Sequence, residues 1–356
     1  MNPVNAKPYE LPADATWLIT GCSSGIGRAI SELVASKPNQ RLIATARNPS
    51  DLSYLPGSNP NILKLALDVT SSASVNKAFA TASKHFGDSF HLDIVINNAG
   101  YSLSGDTESA PEEEAHLEVE TLFFSAARVT MKAVEVIRQH KEHREGVIYQ
   151  ISSLAGLCSF PGNAYYHAGK YAVEGWTESV AREMHPDWNI NFCIIEPSGV
   201  KTNFEGHSKA HTAPHPAYPA PNMPTRALEK WVNMGIESGV GMLDPNGIAE
   251  TIYKIASRGE IVPLRLRLGP TAWKLIRQKY EGFLGDLDAV KDISFMGKDT
   301  GLQAVKFSDV WERLLVIVMP HDEMDRVEGV VVERDSASFQ CRGFFVKSLI
   351  RSELFF

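Results

Sequence analysis

An α/β fold is predicted for this chain, a doubly wound parallel sheet with helices on both faces, and three observations predict it. Short, almost wholly apolar runs alternate with helix-length segments, the first run feeds straight into a glycine-rich turn, and chemically distinctive residues stand at or just past the ends of the runs. Strands buried on both faces read as continuous apolar stretches, and their alternation with helices is the pattern of a parallel sheet. In such sheets ligands bind beyond the carboxyl ends of the strands.

Residues 1–14 contain Pro3, Pro8 and Pro12 and no apolar core of a leader, so an N-terminal arm without a secretory signal is expected. Thr16-Trp-Leu-Ile-Thr20 is the first strand. Gly21, Gly25 and Gly27 follow it, and then Ile30, Leu33 and Val34 fall at helical spacing. A strand, a turn without side chains and a helix N-terminus make a seat for a pyrophosphate, with amide N–H groups and the helix dipole facing the anion. The glycine spacing is one residue looser than the usual dinucleotide fingerprint, and taken alone it also fits a tight structural turn. Further strands are expected at 41–46, 62–68, 93–97, 146–152 and 189–196, and helices at 72–86 and 112–139. Gly21, Ala46, Asp68, Asn97, Ser153 and Pro197 then lie at strand ends, along one edge.

Tyr166 and Lys170 carry the chemistry. A free phenol, with a pKa near ~10, is a poor acid or base at neutral pH. At i and i+4 on a helix, the Lys170 ammonium shares a face with the Tyr166 ring and can stabilise its anion. Lowering the phenol pKa by ~3 units takes ~4 kcal/mol, within reach of one partly desolvated cation helped by an oxidised nicotinamide. By itself the spacing also fits a chance pair on a surface helix.

Cofactor choice follows from charge. An acidic residue closing the second strand would bond ribose hydroxyls, whereas a 2′-phosphate needs a cation there. This strand ends Ala44-Thr45-Ala46-Arg47, with no carboxylate. Arg47 offers a planar fork for phosphate, Arg28 follows the last glycine, and Thr45 and Ser23 are candidate helpers. NADP (NADPH) is the expected cofactor, the alternative being that both arginines are ordinary surface residues.

Thr20-Gly-Cys-Ser-Ser-Gly-Ile-Gly27, Asp68-Val69, Asn97-Asn-Ala-Gly100, Ser153, Tyr166 with Lys170, and Glu196-Pro-Ser-Gly-Val-Lys-Thr202 resemble, in that order, the motifs of the short-chain dehydrogenase/reductase family. The flavour is that of hydroxysteroid and retinol dehydrogenases and their fungal relatives. The resemblance runs from about residue 16 to about residue 294. It implies a Rossmann-type catalytic domain over 15–294 with a substrate segment at 203–244, followed by an extension at 295–356. It implies that Gly21, Ser23, Gly25, Ile26, Gly27, Asp68, Val69, Asn97, Asn98, Val200 and Thr202 hold the dinucleotide beside Tyr166 and Lys170. The implied reaction is hydride transfer between nicotinamide and a carbonyl carbon, with Tyr166 delivering the proton and Ser153 holding the same oxygen. Ser152 competes for that role, since along an extended segment only one of the two serines easily faces the pocket.

Two departures from the pattern stand out. Leu122 occupies the place where relatives carry an asparagine thought to hold a water beside the lysine, and Ser125 stands for a glycine. Leucine neither donates nor accepts a hydrogen bond, so that relay is altered. Ser198 stands where glycine is usual, at a cost on the order of 1 kcal/mol if its φ were positive.

His207, His211 and His215 repeat every four residues, yet Pro214, Pro216, Pro219, Pro221 and Pro224 break a helix there, so a substrate-covering loop is expected and no metal site. Helices at 226–232 and 245–257 follow, with Leu228, Trp231 and Val232 as an apolar pocket wall. The implied substrate is a ketone or secondary alcohol of moderate size and low charge.

The 356 residues, 44% hydrophobic, suffice for a full α/β core, and the net charge of −7 disfavours nucleic acid or an anionic membrane as a partner. No run reaches the ~20 apolar residues of a membrane span. Cys22, Cys158, Cys193 and Cys341 lack ligand spacing and fit a reducing, cytoplasmic setting. Beyond residue 294, β-like runs at 313–319, 327–332 and 344–350 leave an edge addition, a homo-oligomer contact and a poorly ordered appendix all open. Functionally, an active NADP-dependent reductase is the leading expectation. The alternatives are a cofactor-binding scaffold or sensor with weak turnover, because of Leu122, and an epimerase or dehydratase without net redox.

Overall fold

The computed structural model describes residues 4–140, 145–202, 204 and 208–294, so the three β-like runs of the extension lie outside the described residues. Seven parallel strands form the central sheet: β1 (Thr16–Ile19), β2 (Arg41–Ala46), β3 (Ile62–Ala66), β4 (Ile94–Asn97), β6 (Gly146–Ile151), β7 (Ile190–Pro197) and β9 (Arg265–Leu268). Their spatial order is β3-β2-β1-β4-β6-β7-β9. The chain therefore winds outward from β1 in one direction and, after a reversal between β3 and β4, outward in the other. That reversal leaves a crevice at the carboxyl ends of β1 and β4, where a ligand can lie between the two halves.

Helices cover both faces: α1 (Gly25–Ala35), α2 (Ser72–Phe86), α3 (Glu112–Val119), α4 (Ser125–Gln139), α5 (Ala164–Glu183), α6 (Pro224–Ser238), α7 (Pro245–Ser257), α8 (Pro270–Ala289) and α9 (Lys291–Ser294). The apolar strands are sorted by parity. Trp17 and Ile19 of β1 enter one core with α1 and α7, while Leu18 enters the other with α2, α4 and α5. Ile94 and Ile96 divide from Val95 in the same way, as do Val147 and Tyr149 from Ile148. Burial on both faces is why these strands carry no polar alternation. The indole of Trp17 stacks on Tyr253 of α7 at 5.6 Å and donates to Gln40 Oε1 at 2.6 Å, which locks that helix layer to the sheet.

The segment expected as one long helix at 112–139 is helical throughout but not of one type. Between α3 and α4 lies one wide π turn, Glu120–Phe124, that holds Leu122. Sequence reasoning missed β9, a polar edge strand whose Arg265 and Arg267 disguise it, and the small parallel pair β5 (Ser102–Ser104) and β8 (Lys209–His211). The N-terminal arm is fastened down. Buried Asn5 donates to Phe192 O and Val262 O at 2.8 and 2.7 Å and accepts from Phe192 N–H, and Tyr9 lies in the core.

Candidate active site

The glycine turn sits in the crevice. Gly21 and Gly25 have φ of +69° and +59°, which a side chain would strain. Gly27 is required by space: a Cβ there would lie 2.4 Å from both Asn98 Nδ2 and Gly21 O. Asn98 ties the turn to β4, its amide donating to Thr20 O and Gly21 O at 2.9 Å while its own N–H bonds Thr20 Oγ1. Helix α1 then starts at Gly25 with no side-chain cap and no acid in its first turn. Its opening N–H groups are thus kept for an external acceptor, a seat suited to an anionic phosphate. Thr202 closes the other side, since a Cβ on Gly25 would meet Thr202 Cγ2 at 3.4 Å, and Val200 bridges to Leu243.

Other expected contacts fare differently. Arg47 is exposed past the end of β2, whereas Arg28 is held by Glu32 at 2.9 Å and lies over the Tyr54 ring at 4.3 Å. Thr45 is buried, and its hydroxyl donates to Ile19 O at 2.9 Å, so it braces β2 on β1. Ser23 and Ile26 are half-buried on the turn. Asp68 is exposed and holds Thr70 through its N–H and hydroxyl, while Val69 is buried against the α2 layer. Asn97 points inward, donating to Thr130 Oγ1 at 2.8 Å beside Gln150, and therefore supports β4 from beneath.

The two serines at the end of β6 separate as alternation requires. Ser152 is buried and donates to Glu174 Oε1, while half-buried Ser153 accepts from Ala155 N–H at 3.1 Å. Glu174 continues into an ion network: Arg265 reaches Glu174 at 2.6 Å, Glu178 at 2.8 Å and also Glu196, and Arg267 reaches Glu196 at 2.9 Å. Burial lifts both Glu174 and Glu196 above the usual carboxylate range, and the arginines offset that. The ends of β6, β7 and β9 are thereby fixed to α5 directly behind Ser153.

Tyr166 and Lys170 lie on α5 with the Lys170 ammonium 5.6 Å from the centre of the Tyr166 ring. Lys170 is buried and donates to Ile151 O at 2.7 Å. Burial pushes its pKa down to about 8, against the pull of Glu174 and Glu118. A buried ammonium beside a half-buried phenol is an arrangement for stabilising phenolate. His167, next in the chain, was not anticipated as a site residue. Its Nδ1 donates to Ala155 O and its Nε2 accepts from Phe160 N–H, both at 2.9 Å. A carbonyl can only accept, so the proton is on Nδ1 and the ring is neutral. This ring staples the loop bearing Ser153 to the residue beside Tyr166. The signal was in plain view, since a bulky imidazole occupies the second place of Tyr-His-Ala-Gly-Lys.

Over Tyr166 stands Phe204, its ring 6.3 Å away. The 203–244 segment is anchored by β5 and β8 and by Asp106, which accepts from His215 N–H at 2.9 Å and from Arg226. Trp231, expected as pocket wall, is instead 65% exposed, while Leu228 and Val232 are half-buried. His207 of the histidine series lies outside the described residues, and among those described no cluster of potential metal ligands occurs. Ser198 is not among the residues with positive φ, so the anticipated strain does not arise. Leu122 is buried in the π turn, wedged between Gly100 and Gly169 at 2.9 Å from where a Cβ would stand on either.

A sequence profile of the short chain dehydrogenase family matches residues 15–213, more than half of the chain. The chain is 63% identical over 294 residues to Oxidoreductase calM of Penicillium decumbens, covering 83% of this chain and 96% of that protein. It is 31% identical over 200 residues to an NADPH-dependent 3-dehydrocapnine reductase of Ornithobacterium rhinotracheale, 56% of this chain and 70% of that one. A short-chain dehydrogenase from Streptomyces avermitilis superposes with a TM-score of 0.70 at 29% identity, over 80% of this chain and 100% of that chain. The profile runs from the first strand past Lys170, and the fungal relative is matched over nearly its whole length. The chain therefore belongs to the short-chain dehydrogenase family and is an oxidoreductase of that family.

Proposed function

We propose that the protein is an NADP-dependent reductase or dehydrogenase that interconverts a ketone and a secondary alcohol of moderate, mostly apolar character. The observation that carries this reading is the buried Lys170 ammonium held on Ile151 O within 5.6 Å of the Tyr166 ring centre. Tyr166 is the general acid and base, Ser153 the group that holds the substrate oxygen, and Lys170 the cation that makes the phenol acidic. A nicotinamide dinucleotide, when bound, supplies or takes up the hydride. The glycine turn and the uncapped start of α1 suit its phosphates, and Asn98, Val200 and Thr202 frame that seat. Arg47, exposed at the end of a strand that lacks a carboxylate, is the residue for a 2′-phosphate, and Arg28 stands second to it.

In the reducing direction Tyr166 gives its proton to the carbonyl oxygen as the carbon becomes tetrahedral, and Lys170 stabilises the phenolate that remains. Phe204, its ring 6.3 Å from that of Tyr166, gives the phenol an apolar neighbour that suits such a substrate. The bacterial relative named as an NADPH-dependent reductase of a dehydro compound supports both the nucleotide and the carbonyl chemistry. The test is incubation with NADPH or NADH and a panel of apolar ketones. The reading expects ketone-dependent loss of NADPH absorbance, with Arg47→Ala weakening NADPH much more than NADH. Nucleotide binding without turnover, in both the native protein and Leu122→Asn, would favour a scaffold or sensor instead.

A further inference from the structure

Behind Lys170 lies an acid that no motif singled out. Glu118 lies in the last turn of α3, one turn before Leu122, and is wholly buried. Its Oε1 accepts from Leu103 N–H of β5 at 2.7 Å, while its Oε2 has no hydrogen-bond partner among the described residues. A buried carboxyl oxygen left without a donor is costly, and a native protein keeps one where a charge or a function answers for it. Helix α3 and the π turn both pack against α5, and β5 packs against α3 and α5. Leu122 presses on Gly169, the residue before Lys170. Glu118 thus sits on the three-way junction of α3, β5 and the buried part of α5 that carries the ammonium.

Among the described residues, the charged and titratable groups that act on or feel Glu118 include Lys170 from α5 and Tyr101 from the segment leading into β5. Lys170 also feels Glu174, but that carboxylate is already engaged by Arg265 and Ser152. Among the described residues Glu118 has no cation other than Lys170 acting on it.

We propose that Glu118 is a positioning residue for the Tyr166–Lys170 pair, a buried counter-charge that keeps the Lys170 ammonium ionised where Leu122 offers it no polar contact. This rests on the reductase reading above. Burial pushes the Glu118 carboxyl up to about 7, and Lys170 is pushed down to about 8, so the two influence each other within the working range of pH. Removing the carboxylate lets the ammonium lose its proton at lower pH, so the cation that the Tyr166 phenol depends on is lost earlier as the pH rises.

The experiment is the pH profile of kcat/KM for ketone reduction in Glu118→Gln, which keeps an oxygen for Leu103 N–H. The high-pH limb should move down by about one unit, an order-of-magnitude allowance for a buried opposite charge that makes no direct ion pair, while nucleotide affinity at acid pH stays as in the native protein. A superimposable profile, or a uniform loss at every pH without a shift, overturns the proposal, because a merely structural anchor predicts the latter. If Glu118→Gln fails to fold, infrared titration of the buried carboxyl in native protein and Lys170→Gln decides it without turnover. The midpoint should rise when the ammonium is gone, and an unchanged midpoint overturns the proposal. Absence of turnover in the native protein with every ketone would sink the reductase reading, and the infrared titration would still report on the Glu118–Lys170 pair.

Discussion

Replacing Gly27 by alanine isolates the glycine turn from every other feature of the site. The added Cβ would stand 2.4 Å from Asn98 Nδ2 and 2.4 Å from Gly21 O, about 1 Å inside ordinary contact. Gly21 cannot retreat, since its own Cα faces Ala99 and its φ is +69°. The Asn98 side chain must move, giving up its bonds to Thr20 O and Gly21 O, both 2.9 Å. Two such bonds are worth about 1 kcal/mol each, and overpacking adds about 1 to 3 kcal/mol. Alanine's better helix propensity returns about 1 kcal/mol. The net loss is about 2 to 4 kcal/mol. Urea unfolding gives this number directly, and a fluorescence titration with NADPH should show at least a tenfold weaker affinity, about 1.4 kcal/mol. A loss under about 1 kcal/mol with unchanged affinity would refute the argument that this glycine, clamped by Asn98, shapes the seat.

Two further outcomes are expected. Burial holds His167 below its ordinary value, so the unfolded chain takes up this proton first as the solution is acidified. The staple's contribution is present above about pH 6.5 and fades below it. Melting curves should show the native protein losing stability relative to His167→Gln as pH falls from neutrality toward 5, and a constant difference would contradict the neutral, doubly bonded ring. Leu122→Asn should cost about 2 to 4 kcal/mol in denaturant unfolding, because the leucine fills the space between Gly100 and Gly169. An unchanged midpoint would mean that the π turn is not packed as described.

The sheet was legible because its strands are apolar on both faces, the pattern of a parallel sheet covered by helices on both sides. Strand β9 escaped for the opposite reason: Arg265 and Arg267 are there to meet Glu174, Glu178 and Glu196, and a sequence read strand by strand does not show partners that come from α5 and β7. The π turn at Leu122 was invisible because its residues keep helical spacing on either side. At the site, Tyr166, Lys170 and Ser153 were named from motif order, and the two serines lie apart, Ser152 buried on Glu174 and Ser153 half-buried. The hydroxyl of Thr45, named as a helper for phosphate, donates to Ile19 O, a tie between β1 and β2 that the order of residues does not show. Trp231 lies exposed on α6, and apolar spacing alone does not say which face of a helix meets the protein. His167 and Glu118 act through backbone groups far from them in sequence, at Ala155, Phe160 and Leu103, which no local pattern encodes.

The most direct measurement of the proposed chemistry is Tyr166→Phe, in which turnover with NADPH and nucleotide affinity are determined on the same preparation. Removal of the phenolic oxygen should cut kcat by orders of magnitude and leave NADPH binding nearly intact, since the glycine turn, Asn98 and Thr202 are untouched. Parallel loss of turnover and binding, or a kcat close to that of the native protein, would contradict the assignment of Tyr166 as the proton donor.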